Sequence, residues 1–84
     1  MVFEGVVEDI RLAAREGIES VWWMSLGPAE FRPGDRGTLE AETRSGTRLA
    51  IPVTSVVTDA HGMVWCVVDK PLAAGTEVLA RVQR

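Results

Sequence analysis

The chain has 84 residues, enough for one domain (1-84) with a single modest core, and its 46% hydrophobic and 25% charged residues exclude a wholly disordered polymer. A formal charge of -3 gives no general attraction to phosphate backbones, so nucleic-acid binding would need a local basic patch. A single cysteine excludes an intrachain disulfide and a cysteine-rich metal site, and no apolar run approaches the roughly 18 residues of a membrane span.

From the N-terminus, Val2 to Ile10 alternates as a first strand, with Phe3, Gly5 and Val7 on one side and Glu4 and Glu8 on the other. Glu8 to Glu16, E-D-I-R-L-A-A-R-E, is rich in helix formers and is followed by Gly17 where a helix cap belongs, so it reads as one or two helical turns or as an irregular loop. Ile18 to Leu26 is a second strand whose centre, Val21-Trp22-Trp23-Met24, is apolar on both faces. Gly27-Pro28 ends it. In Phe31 to Asp35, Pro33 presets φ for the first central position of a type II turn and Gly34 supplies the positive φ of the second.

The clearest signal is the hairpin that follows. Gly37, Leu39, Ala41 and Thr43 alternate with Thr38, Glu40 and Glu42; Ser45-Gly46 reads as a two-residue loop; Leu49, Ile51 and Val53 resume the alternation. Pro52 has no N–H to give a ladder, which predicts a bulge or an edge strand. Asp59 to Gly62 is a turn, Met63 to Asp69 a strand apolar on both faces, Lys70 to Gly75 a connection, and Thr76 to Val82 a closing strand. The expected fold is all-β, a small six-stranded barrel or half-barrel with at most one short helix, because closure leaves the fewest unpaired edges. Its expected core is Leu39, Ile51, Val53, Val64, Val78 and Val82.

Little in the sequence points to chemistry. His61, the one histidine, lies two residues from Asp59 in a glycine-bearing turn, without a nucleophile nearby in sequence, and reads as an exposed turn residue. Cys66 lies in an apolar run and reads as a small buried hydrophobe. The expectation is therefore a protein without catalysis, cofactor or metal. Arg32, Arg36, Arg44 and Arg48 surround the hairpin but are interleaved with Glu30, Asp35, Glu40 and Glu42, the pattern of a solvated face. Trp22 and Trp23 are more informative, since neighbours on a strand point to opposite sides. Trp22 shares its side with Ile18, Met24 and Leu26, which leaves Trp23 as the outer ring, covered by the 8–16 segment or by a partner. The candidate partner-binding residues are Trp23, Val21, Arg36 and Arg48.

The order of these signals, F-E-G-V-V-E-D-I, then I-E-S-V-W-W-M-S-L, then F-R-P-G-D-R-G-T-L-E-A, then L-A-I-P-V-T-S-V-V-T-D-A-H-G-M-V-W-C-V, resembles the β-barrel domain of periplasmic adaptor proteins, the membrane-fusion subunits of efflux and secretion systems. The matching positions are Gly5 and Val7, Phe31 with Pro33 and Gly34, Ile51-Pro52 with Ser55-Val56, and Val64-Trp65-Cys66-Val67; Asp35 and Ser55 depart from the family's usual Met and Ala. The resemblance implies a non-catalytic binding and assembly module that contacts a protein partner or its own copies. It also implies the periplasm if the chain belongs to a longer adaptor, whereas the sequence as it stands, lacking a secretory leader, reads as cytoplasmic. Two other readings compete: a stand-alone small barrel that binds nucleic acid or a translation component, against which the charge argues, and a structural homo-oligomer joined through the edge near Pro52.

Overall fold

A computed structural model of the chain describes residues 1–17, 19–42 and 45–83. They form seven antiparallel strands, β1 (Val2–Glu16), β2 (Glu19–Gly27), β3 (Arg36–Glu42), β4 (Arg48–Val53), β5 (Ser55–Thr58), β6 (Val64–Val68) and β7 (Glu77–Gln83), in one sheet of order β4-β3-β7-β1-β2-β6-β5. The all-β class holds. The strand number is seven instead of six because the segment after the first β3–β4 turn is interrupted at Thr54, and the pairing does not close into a ring, since β4 and β5 end the order. Among the described residues there is no helix, and so none long and apolar enough to cross a membrane.

The expected helix or loop over 8–16 is instead the second half of β1, paired with β2 from Val6↔Gly27 to Glu16↔Glu19. Helix propensities separate ordinary residues by only about 0.7 kcal/mol each. A continuous ladder to β2 gives the same backbone groups their partners and prevails over that preference. Gly17, with φ 63°, closes the hairpin instead of capping a helix. Both uses require left-handed backbone, so the glycine alone could not distinguish them. Ile18, the first position of the expected second strand, lies outside the described residues.

The β3–β4 loop is corrected in the opposite direction. Glu42↔Arg48 and Ala41↔Leu49 are symmetric about position 45, so a two-residue loop at Ser45-Gly46 would be out of register by one. Thr43 and Arg44 fall outside the described residues. The turn over Arg32–Asp35 is as expected: the Asp35 N–H donates to the Arg32 carbonyl at 3.0 Å and Gly34 has φ 93°. It is held twice more, by the Arg32 N–H donating to Asp35 Oδ2 at 2.9 Å and by the Gly34 N–H donating to the Val56 carbonyl at 3.4 Å. The second of these bonds lays the turn on β5, an end strand that would otherwise present an open edge.

Leu39, Ile51, Val53, Val78 and Val82 are buried as expected, whereas Val64 is only partly covered at the margin of the cluster. Val7, Met24, Leu26, Ala41, Val56, Cys66, Val68 and Ala80 complete the inward face, with Phe31 and Leu72 added from the connections. Pro52 sits on end strand β4 opposite Thr38, a place that its missing N–H permits.

Candidate partner-binding site

β1 and β2 outrun their other neighbours. β7 pairs with β1 only from Val2 to Val6, followed by two bonds at Val7, and β6 pairs with β2 only from Trp22 to Met24. Beyond those points Leu12 to Glu16 and Glu19 to Val21 form a two-stranded ribbon with no third strand on either side among the described residues. Register shifts after Val7 and after Leu12 bend and twist β1 as it leaves the sheet. Arg11 to Arg15 are all exposed, and Leu12, opposite Trp22, keeps 43% of its surface in solvent.

The tryptophan parity is as expected, and the inner ring is Trp22, packed against the core cluster. The ring of Trp23 faces outward but is not bare. It lies 6.1 Å from the ring of Trp65, tilted by 38°, and is half-buried there. Trp65 stands on the outer face of β6 with none of its surface exposed. Its cover includes Arg11, directly opposite Trp23 in the ladder, whose guanidinium lies 4.7 Å from the Trp65 ring centroid. The 8–16 segment therefore does cover an outer tryptophan, as a strand and mainly over Trp65.

Asp59 anchors this group from the β5–β6 turn. Its Oδ2 accepts the Trp65 indole N–H at 2.9 Å, and its Oδ1 accepts the backbone N–H groups of His61 at 2.8 Å and Met63 at 3.0 Å. Sequence reasoning considered Asp59 only as a partner for the His61 imidazole and passed over Arg11. The usable signal was the six-residue spacing from Asp59 to Trp65 across a glycine turn, which brings a carboxylate back beside an indole. The Trp65 indole hydrogen bond, reinforced by the Met63 and His61 amides and the His61 charge against some desolvation, holds the Asp59 carboxyl below its usual value. A lowered folded-state pKa means that this contribution is complete above the unfolded value, near pH 4, and fades as pH falls through the folded one. Asp59→Asn is thus expected to melt lower than the parent at neutral pH and to lose less further Tm than the parent on acidification below about pH 4. Parallel acid slopes in thermal melts of the two proteins would remove Asp59 from the account.

Of the other candidates, Val21 lies on the ribbon, on the same side as Trp23. Arg36 and Arg48 are exposed at opposite ends of the β3–β4 ladder, and β7 and β1 stand between β3 and β2 in the sheet order, so the structure does not gather them with Trp23. Among the described residues the arginine beside a tryptophan is Arg11, with Asp9 3.8 Å from it. The acidic members of the hairpin region are not all solvated: Asp35 is buried in its turn, and Glu40 accepts from Arg81 Nε at 2.9 Å across β3 and β7. His61 is exposed, and burial pushes the Cys66 thiol up to about 12. No protein-family model, curated protein or solved structure matches the chain.

Proposed function

We propose that the domain is a non-catalytic binding and assembly module of the kind that the barrel domain provides in efflux and secretion adaptor proteins, and that it meets a protein partner or a second copy through the β1–β2 ribbon. The observation that carries this is the length of the ribbon beyond the sheet. A lone two-stranded hairpin is marginal in water, and a ribbon with an exposed Leu12 and a half-buried Val21 gains most by docking on something else. The same reading takes the sheet as a half-closed barrel. Its support is that the two end strands, β4 and β5, are joined through Thr54 alone, that the Thr54 N–H donates to the Val67 carbonyl of β6 at 3.0 Å, and that β4 packs against β6.

Sedimentation velocity at rising concentration, with thermal melts of the same samples, tests the assembly. The parent is expected to sediment above the 9.2 kDa of one chain. Leu12→Glu is expected to return it to one chain with Tm changed by no more than about 3 °C, because the substituted side chain supports little of the fold. Trp23→Ala should weaken assembly and lower Tm as well, since the ring also packs on Trp65. A parent that stays monomeric, and whose ribbon amides show no protection from solvent exchange in any protein mixture that it enters, would defeat the reading.

A further inference from the structure

The ribbon leaves a second feature, separate from Leu12. Where β6 ends, the chain bends away at Asp69, while β2 continues past it through Val21, Ser20 and Glu19 with β1 on one side only. Between this bare edge and Thr54 lies a groove of about 500 Å³ that includes Val21, Trp22, Val67, Val68 and Asp69 in its walls. We infer that this groove receives an extended peptide strand that continues the line of β6 along β2 and alternates cationic and apolar residues.

Each part of that occupant follows from the walls. The missing neighbour of β2 is a strand, because the edge carries backbone donors and acceptors at strand spacing, and the three residues from Glu19 to Val21 span about 10 Å. Alternation places Glu19 and Val21 on the outer side with Trp23, and Val67 and Asp69 on the same side with Trp65, whereas Ser20, Trp22 and Val68 face the core side. Both carboxylates of the groove therefore meet one set of an incoming strand's side chains, and the partly buried indole of Trp22 meets the other, while the Val68 methyls stay buried in the core. Glu19 and Asp69 carry no ion pair among the described residues, and no cation lines the groove. A strand with Lys or Arg at alternate positions satisfies them; a polyanion does not. The inference rests on the reading of the domain as a protein-binding module, but it uses a different edge.

The probe is the acetylated, amidated pentapeptide Lys-Val-Lys-Val-Lys, titrated to millimolar concentration into the isotopically labelled chain and followed by amide chemical shifts. Shifts centred on Glu19, Ser20, Val21, Thr54 and Val67 to Asp69, with the dissociation constant raised about tenfold when Glu19→Lys and Asp69→Lys are combined, support the groove. Both substitutions are at exposed positions, and an unchanged Tm confirms that the fold survives them. No shift, equal shifts with Glu-Val-Glu-Val-Glu, or shifts confined to the Leu12 edge overturn it. The last of these outcomes would leave the module reading standing, and that reading is decided independently by the sedimentation of the Leu12→Glu variant.

Discussion

Trp65→Ala is expected to lower the stability of the domain by about 3 to 5 kcal/mol, the cost of emptying a fully buried tryptophan position. An 84-residue domain has roughly 4 to 13 kcal/mol in all, so the variant should lose at least about a quarter of its stability. The effect should be larger than a face-by-face view of β6 suggests. Cys66 and Val68 are held by the main cluster, whereas Trp65 on the opposite side is the centre of a second, smaller one. Removing the indole takes away the surface on which Trp23 and the Arg11 guanidinium lie and the donor to Asp59 Oδ2. Three segments, β1, β2 and the β5–β6 turn, lose a common neighbour. Trp65→Phe separates these contributions, since a phenyl ring keeps much of the stacking and lacks the N–H; it should recover most of the lost stability while abolishing the acid sensitivity that Asp59 owes to the indole. Urea unfolding of the parent and both variants measures this. A loss below about 1 kcal/mol for Trp65→Ala would mean that the ring is not enclosed.

The sequence was legible wherever one physical effect acted alone. Pro33 and Gly34 admit few backbone paths, and the turn they predict is present with its hydrogen bond. The alternation of Leu39, Ile51, Val53, Val78 and Val82 identifies the inward face because burial on a strand has no other periodicity. It was ambiguous where two effects use the same residue. Gly17 serves a helix cap or a hairpin equally well, and Glu8 to Glu16 has helix-forming residues that a long pairing partner draws into a strand. Local propensity within 8–16 carries no trace of the nine-residue strand that pairs with it. The candidate site divides in the same way. Parity on one strand was enough to turn Trp23 outward, but the contacts of that ring depend on β6 and on Arg11, brought in by pairing registers that no local pattern specifies. Arg36 and Arg48 stand beside the hairpin in sequence, and the sheet order keeps them apart from Trp23.

Gly37→Ala provides the sharpest test of how tightly this sheet is curled. In an ordinary strand the substitution is mildly stabilising, by about 0.4 to 1 kcal/mol, because alanine has less freedom to lose on folding. At position 37 the opposite sign is expected. Gly37 lies in β3 between Val53 of β4 and Val82 of β7, and a Cβ there would enter the space of the Arg81 carbonyl oxygen and come within 3.2 Å of the Phe31 ring. A side chain in the way can rotate, but a carbonyl in a ladder cannot move without breaking its strand out of register. The cost should therefore reach or exceed the upper end of the overpacking range, about 3 kcal/mol. Glycine at such a point is the usual mark of a strand bent sharply to wrap a core. Gly5→Ala is the control, since its Cβ would approach the Gly27 carbonyl no closer than 3.4 Å, an ordinary contact; its change should stay within about 1 kcal/mol. Urea unfolding of both variants decides the matter. If Gly37→Ala is as mild as Gly5→Ala, then β3 and β7 do not approach each other at the Gly37↔Val82 pair as closely as the structure places them.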